Sequence, residues 1–175
     1  MKKRDLAVVI ITILGAVLFL TIYNIANNKT ITNNDILKIS YSSCGGLISY
    51  SDYLTCPNIE ISNDLTVTLK PGSGEEKDYK FKTYKISEEN FNNIAKALKE
   101  YNFMSLPSNI EEKGCMDGGS ATINVTTKEK EKKVHIYCRQ NDRFDMVRDA
   151  IIKNIDEKKE YTNYYKEIRE AYKES

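Results

Sequence analysis

Among the 175 residues there is one histidine, His135, so any Ser-His-Asp or Cys-His hydrolytic arrangement has to be assembled around it. The best set the sequence offers is Cys115 as a thiolate nucleophile, Asp117 as an orienting carboxylate and His135 as the base. No nucleophile motif surrounds Cys115, and an exported thiol beside other cysteines tends to oxidise. The simpler reading is a disulfide, a turn and a surface imidazole, and a non-catalytic chain is expected, with a thiol-dependent enzyme as the remote alternative. Asp117-Gly118-Gly119 carries too few ligands for a calcium loop and reads as a turn before a strand. The cysteines are separated by 11, 58 and 22 residues, without the short paired spacing of a structural zinc site. Neither a metal nor a cofactor is expected.

The four cysteines, Cys44, Cys56, Cys115 and Cys138, are disulfide candidates for an oxidising compartment. Three pairings are open. Cys44 with Cys56 and Cys115 with Cys138 are the local solutions, each contributing roughly 3 kcal/mol by loop-closure entropy. The first pair would bracket Leu47, Ile48, Tyr50, Tyr53 and Leu54, an apolar loop suited to a protein partner. Tyr161, Tyr165 and Tyr172, with Tyr164 beside them, form a second candidate contact stripe, because tyrosine adds area with little ordering cost; packing against their own domain is the competing reading. Asn28-Lys29-Thr30 and Asn124-Val125-Thr126 match a short, frequent glycosylation sequon, the second within a strand pattern.

The elements that must hold these residues follow from periodicity. Leu37, Ile39 and Tyr41 alternate with polar residues as a strand ended by Gly45 and Gly46. From Ile59 to Leu69 the odd positions are apolar except Asn63, which predicts a hairpin with an odd-length turn at Ser62, Asn63 and Asp64, Ile61 facing Leu65 and Ile59 facing Val67. Tyr79 to Thr83 alternates again. Ser87 caps a helix with Glu88 and Glu89 in its first turn and an apolar stripe of Phe91, Ile94, Ala95, Leu98 and Tyr101, stopped by Pro107. Ile123, Val125, Val134, Ile136 and Cys138 predict a second hairpin. A four-residue loop, Lys128 to Glu131, would face Val125 with Val134, Ile123 with Ile136 and Ala121 with a buried Cys138. A terminal helix runs from an Asn141 or Asp142 cap through Phe144, Val147, Ile151 and Ile155, and the stripe resumes at Tyr161 after the charged stretch 156–160, as one long helix or one broken once.

The N-terminus carries a different signal. Leu6 to Tyr23 is uncharged over 18 residues, about 27 Å as a helix, nearly the roughly 30 Å of a bilayer core. With Ile25 and Ala26 it predicts an anchor over residues 6–26, including Leu6, Val9, Leu14, Phe19 and Tyr23. Lys2, Lys3 and Arg4 would keep the tail 1–5 cytoplasmic and place a stalk, 27–34, an α+β domain, 35–155, and a helical extension, 156–175, outside the cell membrane. A cleaved signal peptide is the competing reading. Of 26 basic and 25 acidic residues, 23 and 24 remain beyond residue 5, and a near-neutral domain offers no footprint for nucleic acid.

The fold class expected is therefore α+β, an N-terminal transmembrane helix followed by a mainly antiparallel sheet covered by two helices on one face. The order Tyr41-Ser-Ser-Cys-Gly-Gly-Leu47 after a first strand, the helix from Ser87 ending in Phe103-Met-Ser-Leu-Pro107, and Asp117 before a hairpin resembles the small exported α+β domains that include the emfourin-type protease inhibitors. The resemblance spans roughly residues 37–140 and implies an inhibitor-like alternative. This chain departs from it in its anchor, its cysteines, the insertion 48–57 and the C-terminal helix, so no inhibitory residue is transferred. A non-catalytic interaction or structural module, single-pass and displayed outside the membrane with a protein partner, is the leading expectation.

Overall fold

The computed structural model describes residues 33–46, 55–72 and 81–173, all within the unit Ile31–Ser175. Seven strands form one sheet among the described residues: β1 (Ile36–Cys44), β2 (Asn58–Ser62), β3 (Thr66–Lys70), β4 (Lys82–Lys85), β5 (Asn109–Glu111), β6 (Ser120–Thr127) and β7 (Glu131–Tyr137). Their spatial order is β4-β3-β2-β1-β6-β7-β5. Every pairing is antiparallel except β5 with β7. Three helices follow from the cap and stripe patterns: α1 (Glu88–Glu100), α2 (Asp142–Ile155) and α3 (Glu160–Lys173).

Alternation puts Ile39, Tyr41, Ile59, Ile61, Val67, Leu69, Ile123, Val125, Val134 and Ile136 on one face of the sheet. All are buried, in one cluster with Phe91, Ile94 and Leu98 of α1, Phe144, Val147 and Ile151 of α2, and Tyr164, Tyr165 and Ile168 of α3. Each large aliphatic side chain removed from water contributes about 1.5–3 kcal/mol, so this shared layer holds sheet and helices together. The opposite face carries Ser40, Ser42, Glu60, Thr68, Thr122, Asn124 and His135, all polar and half-buried or exposed.

The caps form as their residue types dictate. Ser87 accepts from the Asn90 N–H at 3.1 Å and Asn141 from the Phe144 N–H at 3.1 Å, satisfying donors that a helix start leaves open. Arg143 donates from Nε to the Tyr101 carbonyl at 2.7 Å and from Nη2 to Ser105 Oγ at 2.8 Å. It thereby fastens the start of α2 to the carbonyl-rich end of α1, where a cation is favoured.

Several expectations are corrected. Three helices cover the sheet rather than two, because the C-terminal stripe is broken at Asp156 to Lys159, with Lys159 at φ 60°, and α3 turns back into the same core. The Asp156 carboxylate accepts the Thr162 N–H at 3.0 Å and fixes that break. No helix among the described residues is long and apolar enough to cross a membrane: they have 13 or 14 residues, about 20 Å at 1.5 Å per residue, and each carries charge. The transmembrane element of the expected fold class, and with it the single-pass, signal-anchor description, is corrected on that finding. The segment concerned, 6–26 with Leu6, Val9, Leu14, Phe19 and Tyr23, lies outside the described residues.

Both hairpins keep the expected facing but shift register by two residues. In the first, Ile61 faces Val67 and Ile59 faces Leu69, since Leu65 enters the turn at φ 68° with its N–H on the Ser62 carbonyl at 2.9 Å. In the second, Ile123 faces Val134 and Ala121 faces Ile136. Thr127 is the cause: its Oγ1 accepts the Lys130 N–H at 3.0 Å and donates to the Lys130 carbonyl at 2.8 Å, closing the turn two residues earlier. Parity decides which face a residue takes, so a shift of two leaves the core intact. It carries Cys138 past Ala121, out of the strand and half-exposed at φ 55°, instead of buried.

The Tyr165 hydroxyl accepts the Asn58 N–H at 2.8 Å and donates to the Lys70 carbonyl at 2.8 Å, joining α3 to the ends of β2 and β3. Tyr165→Phe is expected to lower unfolding free energy by about 1–3 kcal/mol, measured by urea denaturation; an unchanged midpoint would refute that bond. Burial pushes the phenols of Tyr161 and Tyr164 up to about 12 from 10.0 and raises those of Tyr84 and Tyr165 too. A raised pKa means the folded state holds the proton more tightly. Stability from these phenols is complete below pH 10.0 and is lost as pH rises through about 12. Alkaline titration should show tyrosinate absorbance rising together with loss of far-ultraviolet dichroism, whereas ionisation of all tyrosines near 10 in a folded protein would refute it.

Candidate functional site

β1 ends, β2 begins, β6 begins and β7 ends at the same end of the sheet, so their register brings the four cysteines to one place. Cys44 is bonded to Cys56 and Cys115 to Cys138. Cys44 pairs across the sheet with Ser120, two residues beyond Gly118. The Ser43 N–H donates to the Pro57 carbonyl at 3.1 Å and the Cys138 N–H to the Gly119 carbonyl at 3.0 Å.

Two glycines make this junction possible. A Cβ on Gly46 would lie 1.9 Å from the Asp117 carbonyl oxygen, and one on Gly118 would lie 1.6 Å from Cys138 Sγ and 2.8 Å from Cys115 Sγ. At Gly46 the two cystine loops thus meet backbone to backbone, and Gly118 lies against the sulfurs of the second disulfide, close approaches that a side chain would block. Beside them Met116 is 86% exposed, its carbonyl accepting the Tyr137 hydroxyl at 3.2 Å. A small cleft of about 140 Å³, lined by Ser42, Cys44, Cys56, Pro57, Ser120 and Thr122, opens on the polar side of this end. The glycine pairs lay in view in the sequence, each near a cysteine, but their mutual contact depends on strands far apart in the chain.

The catalytic constellation is not assembled. The Cys115 sulfur is committed to Cys138, leaving no thiolate, and Asp117 is an exposed turn residue. His135 lies on the polar face, as its parity requires, with Nδ1 2.9 Å from Thr122 Oγ1. Among the described residues no three or more His, Cys, Asp or Glu side chains are grouped to hold a metal ion. Asn124 of the second sequon sits mid-strand and donates its side-chain amide to Glu131.

Of the tyrosine stripe, Tyr164 and Tyr165 are 5% exposed and Tyr161 is half-buried, with Tyr165 edge-on to both neighbours at 5.1 and 4.9 Å. These rings are spent on their own domain. Tyr172 falls in α3, with its side chain outside the described residues. Leu47, Ile48, Tyr50, Tyr53 and Leu54 also lie outside the described residues, while both cysteines that bracket them are in place.

A seven-stranded, mainly antiparallel sheet covered on one face by three helices, with paired cystines at one end, defines an α+β cystine domain. The chain belongs to the family described as domain of unknown function DUF6438, which matches residues 53–157, more than half its length. No curated protein matches it.

Gly118→Ala is expected to block the second disulfide while sparing the first. Thiol labelling with peptide mapping should then find Cys115 and Cys138 free and Cys44 and Cys56 protected. Gly119→Ala, whose added carbon would lie 3.2 Å from the Cys44 carbonyl oxygen, should retain both bonds. Full oxidation of the Gly118 variant would refute the packing argument.

Proposed function

We propose that the domain is a non-catalytic protein-binding module that matures in an oxidising compartment and presents the loop bracketed by Cys44 and Cys56 to its partner. The observation that carries this reading is the glycine-packed junction of two cystines at one end of the sheet. It pins both ends of a chain segment containing Leu47, Ile48, Tyr50, Tyr53 and Leu54 and sets the exposed Met116 next to its base. Aromatic and methionine side chains are the types enriched where proteins meet, and closing a loop covalently lowers the ordering cost of binding. The near-neutral charge favours contact through apolar area over steering by a strong field. A protease inhibitor is the narrower form of this reading, since such proteins also act through a braced exposed loop.

The test places a photo-crosslinking amino acid at Met116, at Tyr50, and at Lys133 on the polar face, in the full chain within its native cell. Met116 and Tyr50 should give an adduct with the same protein, and Lys133 none. Serine at Leu47, Ile48, Tyr50, Tyr53 and Leu54 should abolish the Met116 adduct without moving the thermal midpoint. An adduct from Lys133 alone, or one indifferent to the serine variant, would overturn the proposal. Inhibition of one protease in a metalloprotease panel, lost in the serine variant, would identify the partner class.

A further inference from the structure

At the opposite end of the sheet from the cystines, a cavity of about 450 Å³ opens between Asn33 and Asn34, the β2–β3 turn, the first turns of α1 and the β6–β7 turn. That volume falls among small-molecule sites, which run to roughly 300–1,000 Å³. We propose that it binds a neutral saccharide unit, a site separate from the cystine end.

Its lining is unusual in composition. Four carboxamides, Asn33, Asn34, Asn63 and Asn92, surround it, with one cation, Lys128, and one anion, Glu88. The charges balance, so the cavity does not select a phosphate or a carboxylate by charge. A carboxamide both donates and accepts, which matches hydroxyl groups that do the same. Asn34 and Asn63 are exposed at its rim. Half-buried Leu65 presents the accessible apolar surface, above the buried Ile36 and Phe91, and suits the C–H face of a pyranose ring.

The walls are braced before any ligand arrives. Lys128 N–H donates to the Asp35 carbonyl at 2.9 Å and Asn63 N–H to the Leu37 carbonyl at 3.0 Å, while the Asn33 amide donates to Asn92 Oδ1. Three separate elements are thereby tied to the same segment entering β1, and preorganised walls reduce the cost of binding. Leu65 supports the same reading. A γ-branched residue holds φ 68°, where glycine or asparagine would be easier, and its side chain supplies the accessible apolar surface.

The test titrates the full chain, labelled with nitrogen-15, with millimolar cellobiose, maltose and diacetylchitobiose in turn, and with inorganic phosphate and trialanine as rivals. At least one disaccharide should shift the side-chain amide signals of Asn34, Asn63 and Asn92 saturably. Asn34→Ala with Asn63→Ala should weaken that binding about tenfold, as loss of two hydrogen bonds implies; both residues are exposed, and the thermal midpoint should not move. Leu65→Gly, which keeps the turn and removes that surface, should weaken it as well. No shift from any disaccharide, an affinity unchanged in the double variant, or shifts produced by phosphate or trialanine instead would overturn the proposal.

Discussion

The structure depends on one constraint, the burial of a single alternating aliphatic face. Ile39, Ile59, Ile61, Val67, Leu69, Ile123, Val125 and Val134 are fully buried, and they come from five strands widely spaced along the chain. Each strand is too short to fold alone, since an isolated hairpin is at best marginal in water. They become stable only when α1, α2 and α3 cover the layer together. That explains why the third helix, although it lies after a charged break, is part of the core, and why Tyr164 and Tyr165 are spent inside the domain.

Covering one face leaves the other face polar, and the two ends of the sheet are left to turns and strand termini. At one end the strands finish in cysteines and glycines, and close backbone approach replaces side-chain packing. At the other, short turns rich in asparagine meet the start of α1. The two ends differ in chemistry for that reason: a covalently pinned loop base suits a macromolecular partner, whereas a braced, amide-lined cavity suits a small polar one.

The polar face between them is partly paired, through Glu60 and its two lysines. Lys38 and Lys70 bond Glu60 at 2.8 and 3.1 Å, and these contacts, the Lys38 hydrogen bond first, hold its carboxyl below the usual range. Such half-exposed pairs contribute little stability. Their effect is to keep an open sheet face soluble and free of the apolar anchors that interfaces use.

Much of this was legible in the residues themselves. Period-two alternation assigned the inward facing of Ile39, Tyr41, Ile59, Ile61, Val67, Leu69, Ile123, Val125, Val134 and Ile136. It failed at Leu37, which is exposed while Ile36 is buried across a register shift, and at Thr83, which is exposed while Tyr84 packs on the core. The Ser87 and Asn141 caps fixed where α1 and α2 begin, and cysteine spacing offered the two local disulfides among three pairings. All of these are local properties, set by backbone geometry within a few residues. Register was not legible, because a shift of two preserves parity and is decided by turn chemistry: Thr127 closing on Lys130, and Leu65 in a left-handed conformation. Nor was the contact of Gly46 with Asp117 or of Gly118 with Cys138, which exists only once β1, β6 and β7 lie side by side. The sequence alone determined most of the side chains that line the core and which caps and cysteines are available; only tertiary structure decided which distant turns share an end of the sheet, since that depends on strand order, and strand order leaves no local trace.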